Sequence, residues 1–268
     1  MISHLIRVYK RDGLLLFIIR VIAKILHLDL VKIAKNKAWK IIKEKHNNIV
    51  AYGPFKGMNL GNDFWRSKND KISQILGIYE EHVLEKLCYF SAQGSTRFIN
   101  VGAADGYFSV GMAYSKIYSQ VYALDIDPKA QNNIKENAKK NLCLDLVNVF
   151  GEANLATVAS LVSKEAKATV LIDIEGDEYE FLSEEMLSLL SNSYLICELH
   201  PWLKENGENL QKDLMDRASK KFNIDLIIRE NYAPNRFSEF DNLTDEERLI
   251  AVSEGREKNM QWLVLVPK

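Results

Sequence analysis

From Arg97 to His200 short apolar runs alternate with longer helical patterns, and this alternation restricts the fold more than any other feature of the chain. Strands are expected at Arg97 to Val101, Gln120 to Ile126, Leu144 to Phe150, Ala168 to Glu175 and Tyr194 to His200. Helical patterns fall between them at Phe108 to Ser119, Pro128 to Asn141, Asn154 to Lys164 and Tyr179 to Leu190. Such alternation predicts a parallel sheet covered by helices on both faces. Two further strands, Ile224 to Glu230 and Gln261 to Val266, follow a helix near Asn209 to Phe222 and close the sheet as a pair, the last running antiparallel. The expected architecture is α/β, a Rossmann-like, seven-stranded, mostly parallel sheet with an N-terminal helical extension. No internal repeat or low-complexity segment interrupts it.

At 268 residues the chain suits one large α/β domain with an appendage. With 47% hydrophobic and 26% charged residues it is ordinary for a globular protein, which excludes disorder and collagen-like structure. The expected divisions are a basic amphipathic helical extension over 1–50, a loop or hairpin and a helix over 51–95, and the main domain over 96–268. In residues 1–46 the residues Leu15, Ile18, Ile19, Ile22 and Leu26 recur at helical spacing. That segment holds eleven Lys and Arg against Asp12, Asp29 and Glu44, a net of +8 that leaves −9 for the remainder. A basic arm on an acidic body marks an anionic partner surface. Packing on the body or a second subunit is the first reading of this helix, and a peripheral contact with a membrane surface the second. The apolar run Leu14 to Ile19 is far shorter than the ~20 residues of a membrane span, and Arg20 and Lys24 break any signal-peptide pattern. Residues 51–70 read as turns. A helix from Lys71 to Ser91 then carries Ile72, Ile75, Leu76, Tyr79, Val83 and Leu87 on one face. Cys88, Cys143 and Cys197 are scattered and odd in number, against a disulfide framework or zinc knuckle and in favour of a reducing, cytoplasmic setting.

The strongest local signal is Phe98-Ile-Asn-Val-Gly-Ala-Ala-Asp-Gly-Tyr-Phe-Ser109, a buried strand entering a glycine turn and then a helix. Gly102 and Gly106 lack Cβ, so the turn can be tight and its backbone can approach a ligand. In open α/β sheets ligands bind at this edge. A dinucleotide fingerprint counted from Gly102 needs glycine at positions where this chain has Ala104 and Tyr107, which excludes NAD. The next strand ends at Asp125-Ile126-Asp127-Pro128. A carboxylate there can accept both hydrogen bonds of a ribose diol. Asp125 is assigned that role and Asp127 the cap of the following helix. The third strand ends at Gly151-Glu152-Ala153, where Glu152 or a backbone amide can reach a base. Together the three strand ends point to a nucleoside-type cofactor.

These segments resemble class I methyltransferases. Leu171-Ile-Asp-Ile-Glu-Gly-Asp-Glu-Tyr-Glu-Phe-Leu182 is similar to the D-x-E-G-x-E signature of the FkbM family, and Tyr194-Leu-Ile-Cys-Glu-Leu-His-Pro201 to the strand that follows it there. The resemblance covers roughly residues 77 to 200, and more weakly the tail Gln261 to Lys268. It implies S-adenosylmethionine as methyl donor and O-methylation of a hydroxyl on a sugar or secondary metabolite. The cofactor residues it implies are Asn100, Gly102, Ala103, Ala104, Gly106, Tyr107, Asp125, Ile126, Glu152 and Asp173, with Asp173, Glu175 and Gly176 at the catalytic edge. Asn100 departs from the family, which commonly has an acid at this position; its amide supplies no negative charge.

A hydroxyl is a poor nucleophile at neutral pH and needs a base or a metal to take its proton. His200 is the expected base, with Asp173 and Glu175 beside it, because imidazole titrates near neutrality. A Mg²⁺ gathered by Asp173, Glu175, Asp177 and Glu198 is the alternative and is not favoured; no metal is assigned. Glu178 and Glu180 read as residues that suit a helix start. The polar insert Asn231 to Arg256, with a helix near Thr244 to Ser253, reads as a lid or substrate-binding element. Tyr232, Asn235, Arg236 and Phe237 are its candidate glycan contacts, and Trp65 and Trp202 are further candidates outside it. The expected acceptor is a saccharide or lipid-linked glycan of a surface polysaccharide, reached from the inner membrane surface. Nucleic acid is not expected, because the rim is acidic. A homo-oligomer is compatible with the chain. A small-metabolite methyltransferase and a non-catalytic binding protein on the same scaffold are the competing readings.

Overall fold

The computed structural model describes residues 13–16, 18, 19, 22, 30–61, 68–163, 166–230 and 233–268. In chain order the elements are α1 (Leu30–His46), α2 (Lys68–Leu76), α3 (Glu81–Ala92), β1 (Arg97–Val101), α4 (Tyr107–Tyr114), β2 (Gln120–Leu124), α5 (Pro128–Lys140), β3 (Val147–Phe150) and α6 (Leu155–Leu161). They continue with β4 (Ala168–Ile172), α7 (Glu178–Phe181), α8 (Glu184–Leu189), β5 (Tyr194–Leu199), α9 (Gly207–Ser219), β6 (Phe222–Ile228), α10 (Asp245–Val252) and β7 (Gln261–Pro267). The seven strands form one sheet in the order β3-β2-β1-β4-β5-β7-β6. The first five pair in parallel, and β7 runs antiparallel between β5 and β6. The expected fold class is thereby observed.

Because side chains alternate along a strand, each strand feeds two cores. Phe98, Leu171, Ile196, Trp262 and Val264 join one core with residues of α1 to α5 and α10. Ile99, Val170, Ile172, Cys197 and Leu263 join the other with α6 to α9. The face a residue takes decides which half of the molecule it serves, and at the carboxyl edge this separates site residues from structural ones.

Several boundaries move. The helix expected over Lys71 to Ser91 is two helices, α2 and α3, broken at Gly77 to Glu80. Gly77 has φ +72°, and a Cβ there would strike the Tyr52 carbonyl oxygen; the close passage of another backbone, not local propensity, ends α2. The helix expected over Tyr179 to Leu190 is likewise two, because the Ser183 hydroxyl accepts from Met186 N and starts α8 afresh. Leu144–Leu146 is a 3₁₀ turn that precedes β3 and not part of the strand. The strands β2, β4 and β5 stop at Leu124, Ile172 and Leu199, which leaves Asp125, Asp173 and His200 just beyond the sheet. The cap residues hold: Asp127 accepts from Lys129 N, and Thr244 with Glu247 forms a capping box for α10.

Helix α1 packs on α2 and α10, burying Ala34, Ala38 and Ile42. Buried Lys35 donates to the carbonyls of Ala251 and Ser253 at the end of α10, where cations are favoured; desolvation pushes its pKa down to about 8. Packing on the body does not extend to Leu15, Ile18, Ile19 and Ile22, which are exposed, and Leu26 lies outside the described residues. The insert is less lid-like than expected, since Phe237, Phe240 and Leu243 are buried in the first core. Its Glu239 accepts from Tyr52 Oη at 2.8 Å and meets His46 Nε2 at 2.8 Å. All three cysteines are free thiols, and no described helix is long and apolar enough to cross a membrane.

Candidate active site at the carboxyl edge of the sheet

The chain leaves β1 through Gly102, at φ +82°. A Cβ at Gly102 would fall on the Asp173 carbonyl oxygen, so only glycine lets the loops after β1 and β4 pass each other. Ala104, also left-handed at φ +49°, donates its N–H to Asp125 Oδ2 at 2.8 Å. Asp125 Oδ1 accepts from Asp127 N at 2.9 Å. The carboxylate is therefore fixed by two backbone bonds at the tip of β2. Around these loops lies a cavity of about 650 Å³ whose lining includes Gly102, Asp125, Ile126, Glu152, Asp173 and Glu175. Ile126 is held out in the open at 79% exposure, an apolar side chain at the cavity mouth that burial alone does not explain. The structure places the other expected loop residues apart from this cavity. Gly106 starts α4 against Ile134 and Val110. Ala103 and Tyr107 line a smaller adjoining chamber.

On the other side of Gly102 the alternation of β4 and β5 aligns Asp173, Glu198 and His200 with the first core. His200 is 3% exposed. Its Nε2 lies 3.8 Å from Asp173 Oδ1, 3.7 Å from Glu175 Oε2 and 3.8 Å from Glu198 Oε1. Its Nδ1 lies 3.4 Å from Glu178 Oε1. The same Glu178 carboxylate accepts from His200 N at 2.7 Å and Gly176 N at 2.8 Å. Glu178 stands in the first turn of α7 as the sequence suggests, and it is also fully buried, with its carboxylate bonded to the His200 backbone and lying beside the imidazole Nδ1. Burial pulls the His200 pKa down, but Glu178, Asp173 and Glu175 outweigh it, so the net shift is upward. Burial also pushes Glu178 up, and the hydrogen bonds from His200 bring it below the usual carboxylate range. Glu198, buried and close to Asp173 and Glu80, is pushed well above that range.

Asp173, Glu175 and His200 each bring one ligand atom within 4.8 Å of the others, a spacing a cation can bridge. Of the other two acids considered for such a site, Asp177 is paired with Lys204 Nζ at 2.8 Å and Glu198 adjoins the cluster. Trp202 stands edge-on to His200 with ring centroids 5.5 Å apart. Arg236 is instead committed to Glu81 at 2.7 and 2.8 Å, and Phe237 packs on Tyr52. Asn235 is exposed in the insert, while Trp65 and Tyr232 lie outside the described residues. Glu80 and Trp262, which the fold brings to the smaller chamber, carry no signal in the sequence that marks them as site residues.

No protein-family model matches the chain, and no curated protein sequence matches it. The fold has solved counterparts. The methyltransferase domain of METTL16 aligns at TM-score 0.51 with 13% identity, covering 88% of this chain and 80% of its own. The O-methyltransferase TomG from Streptomyces achromogenes, solved with S-adenosylmethionine, aligns at TM-score 0.50 with 12% identity over 78% of this chain and 92% of its own. The B. subtilis tRNA methyltransferase TrmK aligns at TM-score 0.45 with 13% identity over 69% of this chain, which spans 65% of TrmK's length. The expectation that excluded nucleic acid is corrected by this finding, because tRNA and rRNA methyltransferases stand among the structures similar to this chain. The fold of the chain is that of the class I S-adenosylmethionine-dependent methyltransferases.

Proposed function

We propose that the chain is an S-adenosylmethionine-dependent O-methyltransferase of FkbM type that methylates a saccharide hydroxyl. The observation that carries this reading is the adjacency, across Gly102, of a nucleoside-sized cavity and a buried imidazole surrounded by carboxylates. The residues fit the cofactor: Gly102 lines the cavity beside the β1 loop, Asp125 faces a diol with a fixed carboxylate, and Ile126 and Glu152 frame the base. When bound, S-adenosylmethionine supplies an electrophilic methyl on a sulfonium. Asp173 Oδ1 is buried with no hydrogen-bond partner among the described residues, and His200 Nε2 faces it; together they receive the acceptor hydroxyl and its proton. Glu178, 3.4 Å from the other ring nitrogen, favours the imidazolium by its charge. Holding the hydroxyl in line contributes as much as removing its proton. Saccharide is favoured as acceptor because carboxylates that accept hydroxyl bonds lie beside an exposed aromatic edge, Trp202.

The test has two stages. Calorimetry with S-adenosylhomocysteine should show binding, and labelled methyl should transfer to a panel of glycosides and glycolipids. His200→Gln should lower kcat by about 10²–10⁴-fold and abolish the acidic limb of the pH–rate profile, with cofactor affinity kept. Retention of most of the turnover rejects His200 as the base. Transfer to RNA and not to the glycans replaces the acceptor while keeping the cofactor. Exposed Leu14, Leu15, Leu16, Ile18, Ile19 and Ile22, in the segment of net charge +8, support a peripheral contact with anionic lipid. Co-sedimentation with phosphatidylglycerol vesicles should be lost when residues 1–29 are removed; equal sedimentation with and without them discards that contact.

A further inference from the structure

Strand β6 ends the sheet: among the described residues it pairs with β7 on one side and with no strand on the other. Arg229 N donates to Met260 O on the β7 side, and the direction of main-chain groups alternates along an antiparallel strand. The N–H and C=O groups of Ile224, Leu226 and Ile228 therefore point out of the sheet. One of these donors, Leu226 N–H, is taken by the neighbouring Asp225 Oδ1 at 2.9 Å, a local substitute for the bond another strand would supply. An open edge is a template for a further strand unless proline, charge or a bulge blunts it. Strand β6 contains no proline, keeps an unbroken register with β7, and carries Asp225 as its single charge. By alternation from Phe222 and Ile224, Leu226 and Ile228 lie on the face of the second core, and both are exposed.

On the other face the edge is flanked by α3. His82, Glu85, Lys86 and Tyr89 recur at the spacing of one helical face, and a groove of about 430 Å³ runs between them and β6. Tyr89 is 55% exposed beside it. Lys86 Nζ lies 3.8 Å from Asp225 Oδ2, which sets Glu85 and Lys86 level with the middle of β6. This face is complementary to itself in charge. In two antiparallel copies of α3 centred between Glu85 and Lys86, the Glu85 of each copy meets the Lys86 of the other, and His82 meets Tyr89. A two-fold axis normal to the sheet at Leu226 produces that arrangement, because it sets β6 antiparallel to its copy and keeps both α3 helices on one face. About the same axis the two Leu226 residues exchange main-chain hydrogen bonds, and Ile224 of each copy meets Ile228 of the other in an apolar row.

We propose that the chain forms a two-fold dimer through β6, with a second copy of α3 closing the groove and one sheet continuous through both subunits. Since β6 runs in the direction of β5, the two active sites open at opposite edges of the joined sheet. Sedimentation equilibrium of the full chain, from low to high micromolar concentration, should show monomer and dimer in exchange. Leu226→Pro removes a donor that faces out of the sheet, which an edge strand tolerates; it should give a monomer that still melts cooperatively. Glu85→Lys and Lys86→Glu each set like charges across the axis and should raise the dimer dissociation constant by roughly tenfold or more. An equimolar mixture of these two variants restores opposite charges and should dimerise more tightly than either alone. The mixture carries the test if Leu226→Pro does not fold. Wild type that stays monomeric throughout overturns the proposal. So does a folded Leu226→Pro chain that dimerises as wild type does, or a mixture that associates no better than its components.

Discussion

The carboxyl ends of β1 to β3 and those of β4 and β5, joined by the amino end of antiparallel β7, build their halves of the site from different materials. The first half is largely backbone: a glycine at φ +82°, a left-handed alanine whose N–H fixes Asp125, and a carboxylate tied by two main-chain bonds. The second half is side chain: His200, Glu178 and Glu198 are buried, and their charges are set by one another. A half made of backbone is rigid and tolerates no added atom. A half made of buried titratable groups tolerates isosteric change but answers to pH. That contrast can be broken at either end.

The largest effect is expected at Gly102, where the two halves touch. Gly102→Ala puts a methyl onto the Asp173 carbonyl and also demands a left-handed alanine, which alone costs roughly 1–2 kcal/mol. Affinity for S-adenosylhomocysteine should fall on the order of 100-fold, equivalent to ~2.7 kcal/mol, as read by calorimetry. Normal binding by this variant would show that the passage of the two loops is not what shapes the cavity.

Glu178→Gln is expected to act next most strongly, and on the other half only. The amide keeps the shape but cannot stabilise an imidazolium, so kcat should fall about 10–100-fold with cofactor affinity unchanged. The more telling readout is the pH–rate profile. Glu178 is among the groups that raise the His200 pKa, so its removal lowers that pKa and the acidic limb should move to lower pH. A residue that merely packs would reduce the rate without moving the limb.

The backbone half was legible in the sequence because its determinants are local. Gly102, the spacing to Asp125 and the Asp127-Pro128 cap lie in one stretch, and the strand Arg97 to Val101 has the expected ends. The side-chain half was legible only where a motif carried it, at Asp173, Glu175 and His200. Glu178 was placed at its helix start but not in the site, because its partner there is the main chain of His200, brought to it by the pairing of β4 with β5. Trp262 reaches Glu198 only through the register of an antiparallel strand that arrives after the insert. The break at Gly77 is caused by Tyr52 from a preceding turn, a contact that no periodicity within residues 71–91 encodes.

The smallest effect sharpens the comparison most, because it has an unusual sign. Glu198 is folded with its carboxyl held well above the usual range, by burial first and then by Asp173 and Glu80. The folded chain therefore keeps a proton there that the unfolded chain releases above about pH 4.5. Linkage then makes this group erode stability as pH rises from the unfolded pKa toward the folded one. Glu198→Gln removes the titration while keeping the volume, so the variant without cofactor should melt higher than wild type near pH 8 and the difference should vanish near pH 4. A shift of about 2–4 °C corresponds to ~1 kcal/mol for a chain of this size class. A lower melting temperature at pH 8 would mean that the ionised carboxylate is stabilised by its surroundings, and the half of the site built from buried acids would then be neutralised from within.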